Sequence, residues 1–529
     1  MQNRTKSSQS KILPDFRKPT TAQFNVLTST LGDISRLLDE GKLTSVDLVK
    51  AYTAQIKRHN HDGLKLHALI SVVPEQTALE IAKGLDEERV RGNCRSRLHG
   101  IPFIAKDTMS SAASLGMPTS CGTYALKNSL AKDNADIVQK LIDAGMILIG
   151  KANLSELASS RTSKSPAGYS TAGGQTQSAY VVGGCAPGDS WLGHSNPGGS
   201  STGSAVSVSA GMTPVALGTE SDGSITMPSD RAALYSIKLS PGAISWRGVL
   251  PYTRPSDALG AMTKSPEDSA LMLNVLLEQN DFTKFLGRSF KGLKIGFLDP
   301  VEWASGPGAV KPNKDYNKQY ISEFSAALDK IEAAGAIMTR NISLRRVSSE
   351  DDKQLTNIIW HDFPAGFEEF TAGLIEPPVR TLPDLVDYNT KHADQAMPPE
   401  YPGQDTLEQA VANMNSTSRE QYAEYCKTAY HNNKVLGLDA AFEKYDVDVI
   451  IGAPTGRCIT VYDWAGYPVG TLPLGYAQFN GRPFGLAMVA PKGREDLIIG
   501  VMGAWEALFG PRKPPPQLVD WVDKSETSL

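Results

Sequence analysis

Cysteine is scarce in this chain. Cys94, Cys121, Cys185, Cys426 and Cys458 are odd in number, and no two of them stand in a CxxC spacing. That argues against a disulfide framework and against a cysteine zinc site. Histidine is equally sparse: His59, His61, His67, His99, His194, His361, His392 and His431 form no HExxH or other ligand-spaced group. No metal is expected on that ground, and the serine–lysine chemistry read below implies no organic cofactor. Neither sign of charge prevails, since 53 Lys and Arg against 57 Asp and Glu leave a net charge of −4. The basic face that nucleic acid would demand is not expected. No run of about 18 apolar residues occurs, so no membrane span is expected. The first thirty residues carry no apolar segment of the signal-peptide kind. A cytoplasmic protein is the expectation, with its assembly state left open and a homodimer admitted.

What the sequence does contain is ordinary globular material, 40% hydrophobic and 21% charged over 529 residues. Residues 1–25 are polar and read as a loose segment. Helical patterning begins at Thr30–Leu38 and Thr44–Val49, where Thr44 or Ser45 can cap a helix. The apolar strand Ile101–Lys106 follows, then an amphipathic helix over 135–144 that stops at Gly145. Met146–Lys151 reads as a short buried strand. Small-residue helix, strand and helix recur at 203–210, 215–218 and 269–279. Further strands are expected at 294–298, 447–451, 469–474 and 484–489, with a helix at 320–334 and a closing helix from Glu495 to Phe509. Helices alternating with apolar strands predict an α/β fold: one large domain over 26–515, with a central mixed sheet covered by helices on both faces. Between 345 and 440 the periodicity weakens, and an irregular helical insertion is expected there. Residues 516–529 read as a tail.

The chemistry concentrates in three segments. One is the strand Gly100-Ile101-Pro102-Phe103-Ile104-Ala105-Lys106-Asp107. The others are two glycine–serine loops, Pro197-Gly198-Gly199-Ser200-Ser201-Thr202-Gly203-Ser204 and Gly218-Thr219-Glu220-Ser221-Asp222-Gly223-Ser224-Ile225. A serine hydroxyl is a weak nucleophile until a base takes its proton. A lysine serves as that base when burial keeps it neutral. Either loop alone reads as an ordinary loop, and one lysine ending a strand reads as a snorkelling surface residue. Together, in this order, they read as nucleophile, relay and base.

On these residues the chain resembles the amidase signature family, whose members act on amide carbonyls with a Ser–cis-Ser–Lys triad. The resemblance implies Ser224 as nucleophile, Ser200 as bridging serine and Lys106 as base. The backbone N–H groups of Ser221, Asp222, Gly223 and Ser224 would form the oxyanion hole. It extends to Gly150-Lys151-Ala152-Asn153-Leu154-Ser155-Glu156, to the Asp257…Thr263 segment and to the C-terminal strands, roughly residues 30–510 in all. Ser201, Ser204, His99 and His194 are expected to be structural. Asp107 should face away from Lys106 and find another partner.

The match has departures. The commoner family text has aspartate at Glu220, arginine at Thr226 and proline at Ala261. The present version is similar to the subgroup of bacterial peptide amidases and fungal amidases. Arg231 is the expected replacement partner for Glu220, because a buried carboxylate needs pairing. The resemblance implies hydrolysis of a small-molecule or peptide carboxamide through an acyl-enzyme. Two other readings compete: a glutaminase subunit of an amidotransferase that works with a partner enzyme, and a catalytically silent binding protein. The pocket is expected to draw on 345–440, where Trp360, Phe363, Phe367 and Phe370 cluster, although such a cluster is more often core.

Overall fold

The computed structural model describes residues 24–278 and 281–519. Most of the proposed loose segment 1–25, and the tail beyond residue 519, lie outside the described residues. Thirteen strands occur among them: β1 (Leu69–Val72), β2 (Pro102–Lys106), β3 (Ile147–Ala152), β4 (Tyr169–Ser170), β5 (Gly174–Gln175), β6 (Ala216–Glu220), β7 (Tyr235–Lys238), β8 (Ala258–Thr263), β9 (Lys294–Phe297), β10 (Ile337–Thr339), β11 (Val449–Gly452), β12 (Val469–Tyr476) and β13 (Pro483–Val489). Eleven of these form one sheet in the order β1-β3-β2-β6-β8-β7-β12-β13-β11-β9-β10, while β4 and β5 pair separately. The sheet is mixed. β3, β2 and β6 run parallel, as do β11, β9 and β10. The strands from β6 through β8, β7, β12 and β13 to β11 alternate.

Every residue of β2, β3, β6, β7, β8, β11 and β13 is buried. Strands buried on both faces read as continuous apolar runs, and helices must cover each side. Thr44 caps the helix Ser45–His59 with a reciprocal box closed by Asp47, as its sequence predicts. The helix Thr202–Ser209 packs on β2, β3, β6 and β8 with all its residues buried. It approaches so closely that a Cβ at Gly203 would stand 2.2 Å from the Ala68 carbonyl oxygen; only glycine fits there.

Residues 345–440 do form helices, including Ser349–Ala372, Leu382–Lys391, Asp405–Asn413 and Arg419–Tyr430. Phe363, Phe367 and Phe370 are buried together with Leu374, Leu382, Leu385 and Leu407, against Cys121, Leu157 and Leu250. Trp360 packs on the edge of the same cluster. Core, not substrate platform, is the use of these aromatics. Among the described residues no helix is long and apolar enough to cross a membrane.

The parallel pairing of β2 with β6 places the site. Ile104 and Ala105 lie opposite Ala216 and Leu217, so both strands end on the same sheet edge. Lys106 closes β2 there, and β6 runs directly into the Ser221–Ser224 loop. A crevice at the carboxyl ends of parallel strands is where α/β sheets bind ligands.

Candidate active site

Lys106, at the end of β2, is fully buried. Its ammonium donates to Ser200 Oγ at 2.7 Å and to Thr219 Oγ1 at 2.8 Å, with the Thr219 carbonyl at 3.4 Å. Burial holds the Lys106 pKa down to about 7, against the opposing pull of the Glu220 and Asp257 carboxylates. Asp107 points the other way, as strand alternation predicts. It pairs with buried Lys151 at 3.0 Å and accepts the Ser120 N–H and hydroxyl at 2.9 and 2.5 Å.

Ser200 follows a cis peptide bond from Gly199. Its carbonyl accepts the Ser155 N–H at 3.1 Å, so the Asn153–Glu156 segment holds the first loop. The Ser201 N–H donates to the Ser224 carbonyl at 3.0 Å and binds the two loops to each other. Ser201 and Ser204 hydroxyls donate to the Thr219 and Leu217 carbonyls at 3.0 and 2.8 Å. They fasten the helix Thr202–Ser209 to β6, a structural use. His99 and His194 are structural as well, each with its Nε2 2.9 Å from a backbone carbonyl, of Leu85 and Lys311 respectively.

Two expectations need correction. Arg231 does not pair with Glu220. Its guanidinium donates to the carbonyls of Leu192, Gly193 and Asn196 and to the Asn196 side chain, bracing the loop before Ser200. Glu220 instead accepts the backbone N–H groups of Ile225 and Thr226 at 2.5 and 2.7 Å and the Thr226 hydroxyl at 3.0 Å. Lys238, from β7, acts on it, and so does Lys106. Burial first, and the Asp463 carboxylate second, push the Glu220 carboxyl up. The second correction concerns Gly223. Its N–H donates to Asp463 Oδ2 at 2.8 Å, and Asp463 Oδ1 holds Lys238 Nζ at 2.7 Å. That N–H is therefore committed to a carboxylate and is withdrawn from the expected oxyanion donors. The position itself requires glycine: φ is +78°, and a Cβ would meet Met227 Cε at 2.4 Å.

Ser200, Thr219, Ser221, Asp222 and Ser224 all line one cavity of about 310 Å3. Its apolar wall includes Trp191, Met227, Trp246, Leu250 and Tyr252. The 345–440 segment gives this wall Ile359 alone, far less than its aromatic content predicts. Leu157, Ala158 and Ser159 hold left-handed backbone at φ 51°, 56° and 81°, and the last two form part of the wall. Non-glycine residues persist in that region only when their surroundings enforce it. Ser221 Oγ donates to Asp257 Oδ1 at 2.5 Å, and Asp257 Oδ2 takes the Tyr252 and Thr253 N–H groups at 2.8 and 3.1 Å. Burial pushes the Asp257 carboxyl up to about 7 despite those donors. Asp222 is raised to about 7 by burial and by Asp463, while the Thr460 hydroxyl donates to it at 3.0 Å.

A buried, weakly basic lysine hydrogen-bonded to one serine, beside a second serine in the same cavity, is equipment for serine-based acyl transfer. The profile of the Amidase family matches residues 47–461. This chain belongs to the amidase family. Amide hydrolysis is accordingly its chemistry. A Schizosaccharomyces pombe chain provisionally named an amidase is 28% identical over 556 residues, covering 96% of this chain and 90% of that one. The peptide amidase structure from Stenotrophomonas maltophilia superposes with a TM-score of 0.80 at 28% identity, covering 92% and 98% of the two chains. A glutamyl-tRNA(Gln) amidotransferase subunit from Caldanaerobacter subterraneus is 26% identical, over 91% of this chain and 96% of that one.

Proposed function

We propose that this amidase cleaves a small-molecule or peptide carboxamide through an acyl-enzyme on Ser224, with Ser200 as relay and Lys106 as general base. The observation that carries this reading is the 2.7 Å hydrogen bond between Lys106 Nζ and Ser200 Oγ, in a site where burial lowers the lysine pKa to about 7. Ser224 Oγ attacks the carbonyl carbon as its proton passes to Ser200 Oγ, whose own proton moves to Lys106. The oxyanion forms near the N–H groups of Ser221, Asp222 and Ser224; one such donor contributes roughly 2.7–4 kcal/mol. The C–N bond breaks as the proton returns along the same path to the leaving amine. Water then repeats the sequence on the ester, releasing the acid and free Ser224.

The reading includes a cytoplasmic enzyme that works without nucleic acid. Its assembly state, with a homodimer as one arrangement, is a matter for sedimentation. The likeness to an amidotransferase component supplies the second reading, ammonia transfer from glutamine to a partner enzyme. The purified chain should release ammonia unaided from primary amides and peptide amides, and a fluorophosphonate should label Ser224. Turnover of glutamine alone, and only with a partner present, would favour the amidotransferase. Neither labelling nor turnover on any amide would mean a silent binding protein.

A further inference from the structure

A second cavity, of about 280 Å3, lies beside the catalytic one and shares Ser305 and Thr455 with it as wall residues. The Ser305 hydroxyl donates to the Thr455 carbonyl, and the two spaces meet at this hydrogen-bonded pair. The second space is lined largely by apolar and aromatic residues, among them Val301, Val310, Tyr316, Tyr320 and Ile321, with one carboxylate, Asp230. Asp230 ends the short helix Thr226–Asp230, which begins two residues after Ser224. One five-residue element therefore links the nucleophile loop to the wall of the second cavity.

Asp230 is only 6% exposed, and its Oδ1 has no hydrogen-bond partner among the described residues. The Gly485 N–H serves the same carboxylate. A buried oxygen without a donor costs free energy that an incoming donor recovers. The guanidinium groups of Arg231 and Arg482, both buried, already act on Asp230 electrostatically. A cationic ligand would meet two positive charges there, so the fitting partner is an uncharged donor on an alkyl or aryl body.

We propose that this cavity is a subsite for the far end of an elongated, uncharged amide, whose terminal hydroxyl or amide N–H donates to Asp230 Oδ1 while its scissile carbonyl sits at Ser224. The subsite rests on the hydrolase reading for the position of that carbonyl. Acetamide, octanamide and 8-hydroxyoctanamide test it by kcat/KM on the wild-type enzyme and by calorimetric binding to the Ser224→Ala protein, which needs no turnover. The expected order is 8-hydroxyoctanamide, octanamide, acetamide, with a step of about tenfold or more for the hydroxyl, the scale of a hydrogen bond to a charged group. Ala304 sits on an exposed loop and lines only the second of these two cavities. Ala304→Trp fills that space and should lower kcat/KM for octanamide about tenfold more than for acetamide. Asp230→Leu, which removes both carboxylate oxygens, should shrink the hydroxyl step to below about twofold. Equal losses on short and long amides, or no gain from the hydroxyl in turnover and binding alike, would overturn the subsite. Graded binding to Ser224→Ala without turnover of any amide by the wild type would instead overturn the hydrolase reading and leave the subsite in place.

Discussion

Asp463 holds the nucleophile loop through Gly223, accepting its N–H at 2.8 Å while the other carboxylate oxygen binds Lys238 at 2.7 Å. Both members of the ion pair are fully buried. The pair joins the helix Cys458–Trp464 to β7 and fixes the turn that presents Ser224. Removing one partner of a buried pair leaves an uncompensated charge and costs about 3–5 kcal/mol. Asp463→Leu should therefore lower the melting temperature sharply. The double variant Lys238→Met/Asp463→Leu should recover part of that stability, since apolar replacement of a buried pair is often neutral, while Glu220 loses the Lys238 charge and the Gly223 N–H its acceptor. Its kcat should remain down by about 10²-fold, because misplacing a reacting group by an ångström has that effect. Full activity in the stable double variant would show that the Gly223 contact does not position the nucleophile.

Ser224→Ala should abolish turnover and fluorophosphonate labelling with the fold intact by circular dichroism. Loss of a triad nucleophile has reached about 10⁶ in kcat in a serine protease. Labelling of the alanine variant at an active-site serine would move the nucleophile elsewhere, with Ser200 the first residue to examine.

Much of the fold was legible because its strands are continuous apolar runs and its helices keep their spacing. The closing helix spans Glu495–Phe509 as its sequence predicts. The departure of Asp107 from Lys106 follows from strand alternation alone. The partner of Glu220 was not legible. Arg231 is near in sequence, but nothing local fixes where a guanidinium points, and Lys238 sits on a strand that meets β6 only through β8. Asp463 is likewise 240 residues from Gly223, beyond the reach of any periodicity. The cavity wall was hidden for a related reason: Trp191 and Trp246 stand in loops, where no repeat marks which side chains face inward. Thr219 was within reach, since a hydroxyl on β6 beside the end of a parallel strand is a natural acceptor for Lys106.

Thr219→Val tests that acceptor. The exchange keeps the shape and removes Oγ1, leaving Lys106 with Ser200 and the more distant Thr219 carbonyl. A hydrogen bond to the charged form favours that form. Its loss should lower the lysine pKa further, shifting the alkaline rise in kcat/KM to lower pH while the plateau falls. Thr219→Ser should restore both. An unchanged profile in the valine variant would mean that Thr219 serves packing alone.

The pH dependence itself turns on Lys106. Burial holds its pKa near 7, well below the ordinary lysine value of about 10.4. Below pH 7 the protonated ammonium cannot accept the Ser200 proton; above it the free amine can. Acylation should therefore rise through neutral pH to an alkaline plateau, with kcat/KM reporting the free enzyme. Asp257 and Asp222 titrate in the same range, so the assignment needs the lysine itself to be changed. Lys106→Ala should slow amide cleavage strongly and remove the rise. Ester cleavage should fall less, because its leaving group requires less protonation. A wild-type rate that declines between pH 6 and 9 with the protein folded would make a protonated group limiting, and Lys106 would then be an electrostatic anchor for Ser200 and not the base.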